Sequence, residues 1–335
     1  MAACDACLRR TALLALVAPW LEHANRERRL RGGLLALGDE ELVAAVGGAR
    51  RSELEARAGR LSVDRLRRRI EAAGLHAVCR HDAGYPARLL AAPDAPAALL
   101  VAGDAAHLSA LAGEHEPAVA IVGSRRATAY GVEVARSLGR GLAAARVTVV
   151  SGMALGVDSA AHAGALEVGG PTIAVLAGGA DVPYPATKAP LRRRIVAGGG
   201  CVVSEMPPGF RAFRWGFPAR NRIIAGLAQS TIVVEAAERS GSLITAEIAE
   251  QLGRIVAAVP GPVTSPASAG ANALLRDGAE LVRDAQDVLD TLLGPGVASV
   301  RRGPDPAALE PRLRAVLERL GEAPAGPAAL LGPGD

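Results

Sequence analysis

Residues 118–158 read AVAIVGSRRATAYGVEVARSLGRGLAAARVTVVSGMALGVD. The segment contains two short runs of Val, Ile and Ala, at 118–122 and 147–150, and a small-residue loop and a helical pattern follow each run. Strands that lack a polar face are typical of a parallel sheet that helices cover on both sides. The segment therefore predicts a repeating strand–loop–helix unit, which is the building block of an α/β fold.

The same alternation continues toward the C-terminus. Four further apolar runs, each of which predicts a strand, lie at 172–176, 201–203, 231–234 and 255–259. We therefore predict an α/β fold with a Rossmann-like, doubly wound and mostly parallel sheet over residues 111–293. Ligands of such folds bind beyond the carboxyl ends of the strands.

The segments on either side of this sheet have a different character. Residues 1–78 carry a helical apolar pattern and predict a small all-α domain of the SAM or helix-hairpin type. Residues 79–110 contain three prolines and predict an irregular connector. Residues 294–335 predict a linker, one helix over 306–320 and a short tail, so that the chain ends in a truncated helical segment.

The charge distribution limits the classes of function. The net charge is only +4, and residues 81–295 hold 18 basic against 19 acidic residues. The central region is therefore not a general polyanion binder, and a nucleic-acid site there has to come from local placement of charge.

Cysteine usage and the N-terminus bear on the compartment. Four cysteines in 335 residues do not form a disulfide framework and indicate a reducing compartment. The apolar run 12–21 is interrupted by Pro19 and closed by Glu22, so it does not predict a signal peptide. No later stretch is long enough to predict a membrane span. We expect a cytoplasmic protein.

Three small-residue loops follow successive predicted strands. Gly123-Ser124-Arg125-Arg126 would aim backbone N–H groups, a hydroxyl and guanidinium groups at one point, although an ordinary β-α turn with exposed arginines explains it equally well. The loop 151–158 contains Gly152, and the loop 177–181 contains Gly179. The loop 151–158 is neither a Walker A loop nor a dinucleotide fingerprint. The common position of the three loops predicts several close backbone approaches along one edge of the sheet, where a phosphate could bind.

The strongest local signal is the acid-free segment 206–234. It holds all three Phe of the chain, together with Trp215, within eight residues and among four arginines. Guanidinium groups neutralise phosphates and ring faces stack on unpaired bases, which a duplex does not offer. The segment therefore predicts binding of single-stranded DNA, and the alternative is a buried aromatic cluster that steadies a long loop. Its candidate DNA-binding residues are Arg214, Phe217, Arg220, Asn221 and Arg222.

Two further groups of residues complete the candidate site and its alternative. Ser240-Gly241-Ser242 opens a predicted helix and adds free N–H groups. Acid/base groups are also present, and they would suit a nucleotide-binding or nucleotide phosphoribohydrolase-like Rossmann enzyme. These groups are Asp158, His162, Glu205 and Glu247.

The pair Cys4-x-x-Cys7 matches half of a zinc site, which Cys79 and His81 could complete. A single such pair is a weak signal, and no second pair occurs. We therefore predict neither a metal nor a cofactor.

Taken together, these motifs resemble those of the DprA/Smf family of DNA-processing proteins. The resemblance covers about residues 80–290, and its motifs occur in the order of the family. They are AIVGSR at 120–125, SGMALGVD at 151–158, AGGAD at 177–181, FPARNRII at 217–224, SGSLITA at 240–246 and VPG at 259–261.

The resemblance implies a non-enzymatic protein that binds and protects single-stranded DNA and loads the RecA recombinase during natural transformation. By motif position, the phosphate pocket would use Ser124, Arg125, Arg214 and Phe217. The family also implies a homodimer, for which Leu275 and Leu281 are the candidate contacts. Many relatives end in a winged-helix domain, and the C-terminal segment of this chain is too short for a complete one.

Overall fold

The computed structural model describes residues 3–26, 33–113 and 115–299. These residues belong to one compact unit. The helix predicted over 306–320 and the tail after it lie outside the described residues. Within the described ranges, no helix is both long and apolar enough to cross a membrane.

The helical elements of the described ranges are numbered in chain order. Three short 3-10 helices lie at Leu34–Ala36, Gly48–Arg50 and Ala186–Lys188. The α-helices are α1 (Asp5–Arg26), α2 (Asp39–Gly47), α3 (Arg51–Gly59), α4 (Val63–Ala72), α5 (Ala87–Leu90), α6 (Ala105–Ala110), α7 (Ala129–Ala144), α8 (Val157–Glu167), α9 (Ala189–Ala197), α10 (Gly216–Leu227), α11 (Gly241–Gln251), α12 (Ala269–Arg276) and α13 (Ala285–Leu293).

The strands of the described ranges form one sheet in the order β1-β2-β6-β5-β4-β3-β7-β8-β9. They are β1 (His76–Cys79), β2 (Ala98–Gly103), β3 (Ala118–Val122), β4 (Thr148–Ser151), β5 (Thr172–Val175), β6 (Cys201–Ser204), β7 (Ser230–Val233), β8 (Ile255–Ala258) and β9 (Glu280–Leu281).

The predicted Rossmann-like fold is confirmed. The six predicted strands correspond to β3 to β8, and the pairs from β6 through β9 are all parallel. The sequence did not predict β1, β2 or β9. Strands β1 and β2 extend the sheet with antiparallel pairs, so the segment that was predicted as a connector contributes β2 to the sheet. The domain boundaries themselves stay a prediction.

The strand order changes direction between β3 and β7. From β3 the sheet grows through β4 and β5 to β6 on one side, and from β7 it grows through β8 to β9 on the other. The loops that leave the carboxyl ends of β3 and β7 therefore diverge and leave a crevice between them. This topological switch point is where open α/β sheets bind ligands.

The four N-terminal helices α1 to α4 confirm the predicted helical part. The aromatic segment before α10 packs against them: Phe210, Phe213 and Trp215 join the apolar core of α1 and α2. Trp215 is only 3% exposed. Its indole Nε1 donates to the Ala18 carbonyl at 3.1 Å, and its backbone N–H donates to a Glu22 carboxylate oxygen at 3.1 Å.

This packing corrects the base-stacking role that we inferred for the whole aromatic segment. Three of its four rings are engaged with the N-terminal helices, as the buried-cluster alternative expected. Of the four rings, only that of Phe217 lines the crevice at the switch point. The reason is physical: a long loop gains more from burying large rings than from exposing them.

We predict that Trp215→Ala lowers the free energy of unfolding by about 3–5 kcal/mol, because it leaves a cavity in the apolar core that this segment shares with α1 and α2. Trp20→Ala is the matched control. Trp20 is half-buried beneath the Arg50 and Arg57 guanidinium groups, at 5.8 and 5.4 Å, and its loss should cost clearly less. Urea unfolding followed by circular dichroism measures both. Equal losses would contradict the docking role of Trp215.

Candidate nucleic-acid interface

A groove of about 460 Å³ lies at the switch point, and we call it the switch-point groove. Its walls are the loop after β3, the loop before α11 and the start of α10. Ten of the predicted DNA-binding residues line it: Gly123, Ser124, Arg125, Arg126, Phe217, Arg220, Asn221, Ser240, Gly241 and Ser242. A smaller cavity beside it shares Arg125, Phe217 and Arg220 and is also lined by Gly152.

Glu235, which follows β7, fixes the loop after β3. Its backbone carbonyl accepts from the Ser124 N–H at 2.6 Å, and its carboxylate accepts from the Thr128 N–H at 2.9 Å and the Thr128 hydroxyl at 2.6 Å. Glycine at 131 is needed here, because a Cβ at that position would overlap the Glu235 carboxylate. The loop is thus held rigid from the neighbouring strand.

The loop after β4 supports the same wall from below. The Ser124 carbonyl accepts from the Val157 N–H at 3.2 Å, and the Ser124 hydroxyl accepts from the Arg126 N–H at 3.1 Å. Gly156 has φ of +75°, and a side chain there would overlap the Ser124 carbonyl. These contacts leave the Arg125 side chain exposed above the groove.

The floor of the groove holds a buried cation. Arg220 is 6% exposed and donates to the Val175 carbonyl and to Asn221 Oδ1. Burial lowers the pKa of Arg220 to about 10, and the Asp158 carboxylate opposes this shift. Gly152 makes room for this guanidinium, since a Cβ there would overlap it. The close backbone approach predicted at Gly152 therefore serves Arg220.

Asp158 balances the charge of this cation. It is 5% exposed and accepts from the backbone N–H groups of Gly152 and Ala154, at 3.2 and 3.3 Å. Burial raises the pKa of Asp158, and the nearby Arg220 charge acts in the opposite direction. The pair lies under the groove, whereas Arg125, Arg126 and Arg239 are exposed around it.

An aromatic row lies at one edge of the groove. The Arg125 guanidinium carbon lies 5.1 Å from the centre of the Phe217 ring, and the Phe217 and Tyr184 ring centres are 5.0 Å apart. Tyr184 is 50% exposed. The row therefore lines the smaller cavity with two rings and one guanidinium.

The opposite wall begins α11. The Ser240 hydroxyl accepts from the Ser242 N–H at 3.4 Å and thereby caps this helix. The Asn221 side-chain amide donates to the Gly241 carbonyl at 3.3 Å, which joins α10 to this wall. A helix N-terminus at this position offers N–H groups and a favourable dipole to an anion.

Three predicted residues line neither the switch-point groove nor the smaller cavity beside it. Gly179 packs against the segment before α10, where its N–H donates to the Phe210 carbonyl at 2.9 Å. Arg214 is exposed but outside the groove lining. Arg222 is buried, and its Nη2 lies 2.8 Å from a Glu205 carboxylate oxygen while its Nε lies 3.2 Å from Asp94 Oδ2. We remove Arg222 from the DNA-binding set, because both carboxylates already neutralise it.

The acid/base groups of the enzyme alternative do not assemble. His162 is fully buried, its Nδ1 lies 2.7 Å from the Thr172 hydroxyl, and burial lowers its pKa to about 3. Glu205 is paired with Arg222, and Glu247 is exposed but outside the groove lining. Of the four groups, only Asp158 lines the groove.

Sequence reasoning missed three contributors to the site. Tyr184 lies three residues after the AGGAD motif at 177–181, and we did not assign it to the site. Arg239 precedes the helix start at 240–242 and lines the groove. Glu235 holds the first loop in place. A carboxylate directly after a central strand was the signal that could have identified Glu235.

Comparison with known proteins identifies the family. A family model described as DNA recombination-mediator protein A matches residues 76–293. The chain belongs to this family. The matched region runs from β1 to α13, so it contains the whole sheet and the switch-point groove, and it confirms the resemblance to DprA and Smf proteins.

Individual relatives agree with this assignment. A putative DNA processing protein DprA of Mycobacterium tuberculosis is 51% identical over 200 residues, which are 60% of this chain and 49% of that protein. The chain thus spans about half the length of the curated relatives it matches.

Two solved structures of the family share the fold. The structure of DprA from Streptococcus pneumoniae is 33% identical, with a TM-score of 0.67, and the match covers 86% of this chain and 98% of that one. The Helicobacter pylori protein is 30% identical, with a TM-score of 0.57, over 65% of this chain and 95% of that one.

We predict that Arg222→Ala lowers the free energy of unfolding by about 3–5 kcal/mol, because it leaves the buried Glu205 carboxylate without its partner. Arg214→Ala removes an exposed arginine of the same segment and should change stability by less than about 0.5 kcal/mol. Urea unfolding of both variants provides the measurement. A small effect of Arg222→Ala on stability would contradict the structural role that we assign to its ion pair with Glu205.

Proposed function

We propose that the chain is a recombination mediator that binds single-stranded DNA in the switch-point groove. The observation that carries the proposal is the row of Arg125, Phe217 and Tyr184 beside a groove whose exposed charges are arginines. Exposed guanidinium groups suit phosphates, and exposed ring faces suit unpaired bases. The structure of the Helicobacter pylori relative was determined to describe a single-stranded DNA binding mode of that protein, which supports the same assignment here.

In this proposal, different parts of the groove bind the phosphates and the bases of the strand. Phosphate oxygens lie against the α11 N-terminus, Ser240 and Ser242, and the Arg125 and Arg126 side chains neutralise their charge. The buried Arg220 adds a fixed positive potential from below. The bases stack on Phe217 and Tyr184, so that binding demands free base faces but no particular sequence.

We predict that Phe217→Ala weakens binding of a fluorescent oligo-dT by about 5- to 150-fold, which corresponds to one lost stacking contact of about 1–3 kcal/mol. Arg125→Ala should also weaken binding, and it should reduce the salt slope by about 0.7, because it removes one phosphate contact to a single strand. Anisotropy titrations at several salt concentrations measure both effects.

Two controls belong to this experiment. Arg65→Ala removes an exposed arginine on α4, outside the groove lining, and should bind as the unchanged chain does. A duplex of equal length should bind much more weakly than the single strand. The proposal fails if Phe217→Ala and Arg125→Ala both keep the unchanged affinity and salt slope.

The proposal includes binding without turnover, in the cytoplasm. Its support is that only Asp158 of the four acid/base candidates lines the groove. Glu205 is paired with Arg222, and His162 is buried. Incubation with nucleoside monophosphates is the direct test. Sustained release of free base would show that the chain is an enzyme and would contradict the proposed mediator function.

The proposal also includes the RecA recombinase as a partner in transformation. The family assignment supports it. The test is whether the chain speeds RecA assembly on single strands that are already covered by a single-strand-binding protein. If a saturating concentration of the chain does not accelerate RecA assembly, the proposed loading step is wrong, whereas the proposed DNA binding is unaffected.

Self-association is the remaining part of the proposal. Leu281 is 51% exposed on β9, the last strand of the described sheet, and Leu275 on α12 is half-buried. An apolar side chain on such an edge favours pairing with a second copy.

We therefore predict that Leu281→Glu shifts a homodimer toward monomer in sedimentation velocity at fixed concentration. A buried charge at the contact is the reason. Val263→Glu, which alters a 92% exposed valine in the loop after β8, is the control and should leave the distribution unchanged. A dimer that persists in Leu281→Glu would place the contact elsewhere.

A further inference from the structure

Four metal-ligating side chains converge where the N-terminal helix meets the edge of the sheet. They are Cys4, Cys7, Cys79 and His81, and their ligand atoms all lie within 4.8 Å of one another. Cys4 immediately precedes α1 and Cys7 lies in its first turn, whereas Cys79 ends β1 and His81 follows in the next turn. The sequence alone made this set a weak candidate, because it contains a single C-x-x-C pair and no second one.

The spacing of the ligand atoms suits a tetrahedral ion. The Cys4 Sγ and Cys7 Sγ atoms lie 3.3 and 3.5 Å from His81 Nδ1. Zinc–sulfur bonds of about 2.3 Å and zinc–nitrogen bonds of about 2.0–2.1 Å place sulfur and nitrogen about 3.5 Å apart at a tetrahedral angle. Both distances are therefore close to those that a shared ion requires.

The backbone around the cluster is already ordered. The Cys79 N–H donates to the Asp82 carboxylate at 2.7 Å, and the Asp82 N–H returns a bond to the Cys79 carbonyl at 2.8 Å. The Cys4 carbonyl accepts from the Leu8 N–H at 3.1 Å, as α1 begins. Cys7 and Cys79 are buried, whereas His81 is exposed. The ligands thus come from two rigid turns, and the imidazole closes the site from the solvent side.

We infer that Cys4, Cys7, Cys79 and His81 bind one structural Zn²⁺ ion that joins α1 to the edge strand β1. Three thiolates and one imidazole form a closed ligand set of the structural type, with no open position for catalysis. On binding, the three thiols release their protons to solvent and the sulfur lone pairs form the bonds to the ion. Since the ion closes a loop of about 70 residues, it stabilises the packing of the helices on the sheet. This inference does not depend on the proposed DNA binding.

The first experiment measures metal content. The full chain, purified with a thiol reductant and without a metal-affinity step, should contain one zinc per chain by plasma mass spectrometry. Cys79→Ala should lose this zinc, and Cys201→Ala, which removes a cysteine buried in β6, should keep it. Since Cys79 is buried, His81→Ala is the second variant: His81 is exposed, so the chain should still fold while it loses zinc.

Two further readouts separate a metal site from a packing effect. His81→Cys should restore zinc binding, and after cobalt substitution it should add thiolate-to-cobalt charge-transfer intensity relative to the unchanged chain. A strong chelator should lower the unfolding temperature of the unchanged chain but leave that of His81→Ala unaltered.

Three results would overturn the inference. The first is a chain without stoichiometric zinc, or with iron in its place. The second is a chain that has lost two hydrogen masses through a Cys4–Cys7 disulfide under the same reducing conditions. The third is equal zinc content in the unchanged chain, Cys79→Ala and His81→Ala.

Discussion

The bonds that Glu235 makes to the loop after β3 hold the site together. Parallel strands leave diverging loops at a switch point, and such loops have no strand partner of their own. Glu235 supplies that partner, because its carbonyl binds the Ser124 N–H and its carboxylate binds Thr128. The arginine at 125 is therefore presented from a fixed backbone, and Phe217 can lie against it at a defined distance.

The fold was predictable to a large extent because the central strands have no polar face. Runs such as 118–122 and 172–176 are apolar on both sides, and that pattern fixed both their existence and their parallel pairing. The strands β1, β2 and β9 escaped prediction for physical reasons. Strand β2 is an apolar run, but prolines precede it and led us to assign it to the connector. Strand β1 begins with the polar His76, and β9 is only two residues long, so neither carries a periodic signal.

The candidate site was predictable by position but less so by role. The loops after the strands and the start of α11 meet in one groove as expected, because the carboxyl ends of parallel strands share an edge. The arginines were harder to assign: Arg125 is exposed, Arg220 is buried under the floor and Arg222 is paired with Glu205. Sequence alone does not reveal where a carboxylate from another element lies. The aromatic residues of 210–217 had the same difficulty, because their partners in α1 and α2 are distant along the chain.

The docking of Trp215 has a consequence for how this chain can diversify. The indole that anchors the N-terminal helices stands two residues before Phe217, at the very start of the helix that carries the groove residues. A substitution in α1 that shifts the Trp215 indole would also displace the Phe217 ring, because the two residues are only two positions apart at the start of α10. The N-terminal helices and the groove are consequently not independent modules. Exchanging the helices between relatives would require the segment around Trp215, on which they pack, to be exchanged with them.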